Sequence, residues 1–193
     1  MTKLIAEMSM SLDGFVADEN DGVDELFGWY FNGDVVMPFS GGEFRVSEAS
    51  AEFLRPVFAG GRIGALLTGR RNFDLAQGWG GRHPVGCPVF VVSHSVPDGW
   101  PRPGTTFHDD ALVALEAARA AAGDRDVVVA TPSLIRQYLA AKVLDEIVVS
   151  LVPVLLGRGT RYFDALGDTP VRLSDPAIVA GRAVTHLTYQ VLR

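Results

Sequence analysis

Hydrophobic runs divide the chain into short segments separated by turn signals. "KLIAEMSM", residues 3–10, reads as a first strand ending at Leu12-Asp13-Gly14. Residues 14–46 are rich in Gly, Asp, Asn and aromatics and predict a long loop, of the kind that serves as a functional lid or hides a short helix. Ser47 suits an N-cap and is followed by an early glutamate, so "SEASAEFLRPVF" predicts a helix that Pro56 ends or kinks. A strand over 63–68 and a short helix over 70–76 follow. "CPVFVVS", 87–93, is nearly all apolar, as in a strand buried on both faces, and a Pro-rich loop leads from it to "TTFH". Asp109 and Asp110 can cap "ALVALEAARAAA", which Gly123 can close. "DVVVA", 126–130, is another buried strand. In "TPSLIRQYLAAK", Thr131 suits the N-cap, Pro132 the first turn, and Leu134, Ile135 and Leu139 share one apolar face. Residues 144–163 read as a strand, a Gly-rich turn and aromatics, and residues 171–192 as two strands around Ala180-Gly181-Arg182. Strands that alternate with helices before a closing antiparallel pair predict a three-layer α/β/α domain with a mixed, mostly parallel sheet, spanning 1–193 as one unit.

The chain has 193 residues, enough to bury roughly two thirds of its unfolded surface in one core. Its net charge of −6 leaves no broad basic surface, so nucleic acid is not an expected partner. The apolar run at the N-terminus is short and interrupted by Glu7, so neither a membrane span nor a signal peptide is expected and the cytoplasm is the expected location. One cysteine, Cys87, permits no intramolecular disulfide and reads as a half-buried free thiol. The four histidines lack metal-ligand spacing, so no metal is expected, and His186, alternating with Thr188 and Gln190, reads as exposed.

Ligands of such sheets sit beyond the carboxyl ends of the parallel strands, which selects three loops. Thr68-Gly69-Arg70-Arg71 places two guanidiniums at a helix start, where they either pair with nearby aspartates or await an anion. Ser93-His94-Ser95 supplies hydroxyls and an imidazole. Ala130-Thr131-Pro132-Ser133-Leu134 is a second helix start. Gly-x-Gly-x-x-Gly, phosphate-loop, nucleophile-elbow and His-Glu-x-x-His motifs are all missing.

"MSMSLDGFVA", "LLTGRRNFD" and "LDEIVVSLVPVLLGRGTRYF", in that order, resemble the dihydrofolate reductase-like family typified by the reductase domain of riboflavin biosynthesis. The resemblance covers essentially the whole chain. It implies a dihydrofolate reductase-like fold, NADPH as cofactor, a small-molecule substrate and a homodimer. Residue by residue it places Thr68, Gly69, Arg70 and Arg71 in the adenosine-phosphate loop, Ser93 and His94 towards the 2′-phosphate, and Ala130, Thr131, Ser133 and Leu134 beside the pyrophosphate and nicotinamide. Ala130-Thr131-Pro132 stands where the family has Gly-Gly, and the Thr131 hydroxyl is then the candidate replacement for a lost backbone donor. Asp13 matches the "SLDG" motif and is the candidate catalytic acid, with capping of its own turn the competing role. Asp34, Glu43 and Glu48 are alternatives without a motif. Trp29 and Phe31, with Phe27 and Tyr30, either cover a planar substrate as a lid or pack their loop onto the core.

The expected activity is NADPH-dependent reduction of a pterin or an aminopyrimidine, with 5-amino-6-(5-phosphoribosylamino)uracil the nearest analogue. The alternatives are a dimeric nucleotide- or small-molecule-binding protein of the same fold without turnover, and a protein that only binds partners through its long loop.

Overall fold

A computed structural model describes residues 2–59 and 61–193. In chain order the elements are β1 (Leu4–Ser11), β2 (Phe15–Ala17), α1 (Asp24–Phe27), β3 (Val35–Phe39), β4 (Gly42–Val46), α2 (Glu48–Phe58), β5 (Ile63–Gly69), α3 (Arg70–Leu75), β6 (Val89–Val92), β7 (Thr105–His108), α4 (Ala111–Ala122), β8 (Asp126–Val129), α5 (Pro132–Ala140), β9 (Glu146–Val152), β10 (Thr160–Arg161), β11 (Ala177–Gly181) and β12 (Val184–Gln190). The apolar runs form the middle of an eight-stranded sheet in the order β11-β12-β9-β1-β8-β5-β6-β7. Strands β9 to β7 in that order are parallel, and β12 and β11 close the other edge antiparallel.

Alternation along each strand sends side chains to opposite faces, so a buried parallel strand feeds two cores. Leu4, Ala6, Leu67, Val127, Val129 and Val149 pack under α4 and α5, while Ile5, Leu66, Val91, Val128 and Val148 meet Phe73 of α3 and Phe53 and Val57 of α2. The layers are therefore α/β/α. Asp110 caps α4 by accepting from the Leu112 and Val113 amides at 2.8 and 2.9 Å. Where α4 crosses β5 the backbones nearly touch: a side chain at Gly64 would meet Ala122 at 2.7 Å. Pro56 lies inside α2, which continues to Phe58.

Residues 14–46 are more ordered than a loop. They contain β2, α1, a 3₁₀ turn over Gly28–Phe31 and the hairpin β3–β4, whose Leu26, Trp29, Met37 and Val46 make a third core with α2. Polar and aromatic residues are mixed here because the hairpin buries only one side, which masks its period in the sequence.

His186 is buried, contrary to its expected exposure. It is 1% exposed, its Nδ1 and Nε2 lie 2.9 and 3.0 Å from the hydroxyls of Ser150 and Ser50, and its ring stacks on Phe53 at 4.0 Å. The polar side of β12 faces the serine-bearing start of α2, not solvent. Burial pushes the imidazole down to about 4. Cys87 is likewise buried outright, and burial raises its thiol to about 11.

An ionic clamp holds the amino edge of the sheet. Arg62 binds Asp126 at 2.9 Å and Glu146 at 3.0 Å, and Lys3 reaches Glu146 at 2.9 Å. Burial works against the Glu146 charge, but bonds from Gln190, Lys3 and Arg62 outweigh it and hold the carboxyl below its ordinary range. The amino edge is thus fastened, and the carboxyl edge carries the loops.

Candidate functional site

The chain leaves β1 for β5 on one side and later crosses from β8 to β9 on the other, so the sheet's switch point lies beside β1. Pairing of β1 with β8 ends at Ala6↔Val129, while β1 continues along β9 to Ser11↔Val152. Beyond Ala6, β1 therefore runs on towards the carboxyl edge without β8 beside it, at the edge where ligands of such sheets sit. The loops after β1, β5, β6 and β8 leave the sheet at this edge.

Thr68, Gly69, Ala130 and Thr131 do come together. Thr131 Oγ1 accepts from the Gly69 amide at 2.9 Å, lies 3.2 Å from Thr68 Oγ1 and donates to its own neighbour's carbonyl, Ala130 O, at 2.7 Å. Asn72 Nδ2 ties the same cluster, donating to Thr68 Oγ1 and Ala130 O. The Thr131 hydroxyl is thus spent on joining the ends of β5 and β8. It neither caps α5 nor offers a spare donor to a ligand, and its methyl group closes on Gly69, where a side chain would meet it at 2.9 Å.

The two arginines differ. Arg70 Nε holds both oxygens of Asp74 at 2.8 Å, and its Nη1 donates to Ser95 O and Oγ, so it is pinned within its own loops. Arg71 pairs with Asp21 at 2.6 Å, yet 74% of its side chain is exposed, and such a surface pair exchanges cheaply for a phosphate. Ser93 bonds to Ser95 of its own turn, while His94 and Ser133 are exposed and Leu134 is buried in the core.

Asp13 ties two turns together. Its carboxylate accepts from Ser11 Oγ at 2.6 Å and from the Leu156 and Gly157 amides at 3.1 and 2.7 Å, pinning the turn after β1 to the loop after β9. The Ser11 hydroxyl first, and these amides after it, hold the carboxyl below its usual range and hence ionised at neutral pH. Trp29 is 2% exposed and donates through Nε1 to Ser9 Oγ at 3.1 Å, so it is a core residue and not a lid. Phe31 is 65% exposed. Asp34 and Glu43 pair with Arg182 and Arg45, and Glu48 opens α2 in the open.

Two features were not legible as a site in the sequence. Glu7, which read only as a break in an apolar run, is the first β1 residue past the β8 pairing. It lies on the sheet face of Ile5 and Ser9, beneath α2 and the Trp29 segment. Burial, opposed by Arg62 and reinforced by Glu146, pushes its carboxyl up to about 7. Arg136 and Arg161 line a cleft of about 370 Å³ with Ser133, Thr160 and Asp164, between the start of α5 and β10. Neither guanidinium has an ion-pair partner among the described residues, and Arg161 rests 4.6 Å above the Phe15 ring. Spacing along the chain gives no hint of this pair, because β10, paired with β2 apart from the main sheet, reaches α5 only in the folded chain. A larger hollow of about 720 Å³ lies at the clamped amino edge, away from these loops. Among the described residues no group of three or more His, Cys, Asp or Glu could hold a metal ion, and no helix is long and apolar enough to cross a membrane.

No curated protein matches the sequence. Among solved structures, a protein of Shewanella sp. PV-4 assigned provisionally to riboflavin biosynthesis superposes with a TM-score of 0.70 at 24% identity, covering 100% of both chains. The riboflavin biosynthesis reductase Rib7 of Saccharomyces cerevisiae gives 0.62 at 13% identity, over 99% of this chain and 90% of its own. Dihydrofolate reductase of Enterococcus faecalis, solved with NADP(H) and RAB-propyl, gives 0.58 at 12% identity, over 99% and 97%. These likenesses show the fold, which is dihydrofolate reductase-like. The family model of the RibD C-terminal domain matches residues 88–187, from the approach to β6 through most of β12, and the chain belongs to that family.

Proposed function

We propose that the protein is an NADPH-dependent reductase of a planar heterocycle bearing a C=N or C=O group, a pterin or an aminopyrimidine such as 5-amino-6-(5-phosphoribosylamino)uracil. The observation that carries this reading is the cleft between the start of α5 and β10, where Arg136 and Arg161 stand without an ion-pair partner among the described residues. The residues fit a dinucleotide, though not as the motifs suggested. Arg136 and Arg161 supply fixed positive charge to a diphosphate, with the Ser133 and Thr160 hydroxyls beside them. Exposed Arg71 exchanges Asp21 for the 2′-phosphate that distinguishes NADPH from NADH. Thr131 and Asn72 keep the β5 and β8 loops in one rigid unit, which holds bound groups in register for reaction. Asp13 does the same for the β1 and β9 loops. When bound, the cofactor supplies hydride.

Loss of absorbance at 340 nm with a pterin or aminopyrimidine acceptor is the expected result with purified protein, and no turnover with any such acceptor overturns the reading. A second reading, a binding protein of the same fold without turnover, is favoured by the spent Thr131 hydroxyl and the pinned Arg70. It predicts NADPH binding with no acceptor reduced. We further propose a homodimer paired through β11, the outer strand of the sheet, where Ile178 is 63% exposed. Sedimentation at twice the chain mass supports that arrangement, and a monomer at tens of micromolar contradicts it.

A further inference from the structure

We infer that the Glu7 carboxyl is the proton donor of this reduction, meeting the substrate from β1 where that strand runs on past β8. The inference rests on the reductase reading above. Its geometric basis is position. Glu7 follows Ala6, the last β1 residue paired to β8, and it is only half-buried while its neighbours Ile5 and Ser9 on that face are buried. Alternation puts it on the same face as Ile5 and Ser9, in a row where the strand otherwise buries an apolar side chain or a bonded hydroxyl.

The other carboxylates near β1 are engaged. Asp13 holds the β9 loop, Asp126 and Glu146 hold Arg62, and Asp145 accepts from the Leu4 amide and Arg193. Among the described residues no hydrogen bond supports the charged form of Glu7. A carboxyl in the middle of a central strand, without a partner, costs folding energy whenever it ionises. A half-buried position beside the switch point of the sheet gives that cost a use.

The charged and titratable groups around Glu7 are Arg62 before β5, Glu146 on β9, Tyr30 of the 3₁₀ turn and Tyr162 after β10. Arg62 already serves Asp126 and Glu146, so it does not neutralise Glu7, and burial dominates. The resulting value near 7 leaves a sizeable protonated fraction at neutral pH, which suits a general acid. In the step, the electrophilic carbon of the substrate accepts hydride and its π pair moves to nitrogen or oxygen. That atom takes the Glu7 proton. The products are CH–NH or CH–OH, oxidised cofactor and a Glu7 carboxylate, which regains its proton from water.

Glu7→Gln and Glu7→Asp test this together with a carbon-13 carboxyl titration of the free protein. The expected NMR result is a glutamate resonance titrating near 7 that is missing in Glu7→Gln. With acceptor, wild-type kcat/KM should fall tenfold per pH unit above about 7, whereas Glu7→Gln should be slower by about 100-fold at pH 6 and lose that limb. Glu7→Asp should keep the limb with a smaller loss, and NADPH affinity should stay within about threefold in both, the change expected of a group that acts on the proton and not on the diphosphate. A Glu7 resonance titrating near 4.5, or Glu7→Gln activity within threefold of wild type with its limb intact, overturns the assignment alone. A wild type that reduces no acceptor overturns the reductase reading and this assignment with it.

Discussion

Replacing Glu7 by Gln should make the protein more stable at alkaline pH and leave it unchanged in acid. The two side chains have nearly the same shape, so the difference isolates ionisation. In the folded chain the carboxyl sits at about 7 against an ordinary 4.5, a shift worth roughly 3 kcal/mol at about 1.4 kcal/mol per unit. Because the folded value is raised, the folded state holds the proton more tightly than the unfolded one. The stabilisation is complete below 4.5 and is lost as pH rises to 7, after which the penalty is constant. His186 works in the opposite sense: its folded value of about 4 lies below 6.5, so its contribution is present above 6.5 and lost as pH falls to 4. The two slopes nearly cancel between 4.5 and 6.5, and the wild-type profile alone hides both. Urea unfolding of wild type and Glu7→Gln at pH 4, 6 and 8 separates them. We expect curves that coincide at pH 4 and a variant more stable by about 2–3 kcal/mol at pH 8. A difference that does not change with pH refutes the reasoning.

His186→Gln should remove the acid-side slope, so that the variant gains on wild type by up to about 3 kcal/mol between pH 6.5 and 4, read by the same unfolding series. Thr131→Val keeps the shape but strands the Gly69 amide, and should cost about 1–2 kcal/mol by thermal or urea unfolding. Arg62→Leu takes one partner from buried Glu146 while Lys3 remains, and should cost about 2–3 kcal/mol in the same assay. Arg136→Ala with Arg161→Ala should weaken NADPH and NADH alike by about tenfold or more, since both carry the diphosphate, whereas Arg71→Ala should weaken NADPH alone; fluorescence titration reads both.

The layer order and the carboxyl-edge loops were legible because the parallel strands are runs of Leu, Ile and Val flanked by capping residues such as Asp110 and Gly123. The hairpin β3–β4 was not, because Pro38, Glu43 and Arg45 face outward and blur its period. Thr68, Gly69, Ala130 and Thr131 were correctly grouped, yet their bonding to one another reversed the reading of Thr131 as a spare donor. Asp13 carried a motif and proved to be the acid that ties two turns. His186 was misread because alternation reports a polar face without saying what covers it. Glu7 carried no motif at all; only the register of β1 against β8 shows that it stands where β1 runs on past β8.

The most direct test of a dinucleotide reductase is nicotinamide fluorescence during titration of the purified protein with NADPH and with NADH. Micromolar binding with NADPH preferred is the predicted result. No binding of either nucleotide would mean that Thr131, closed on Gly69, has sealed the carboxyl edge, and would contradict the account.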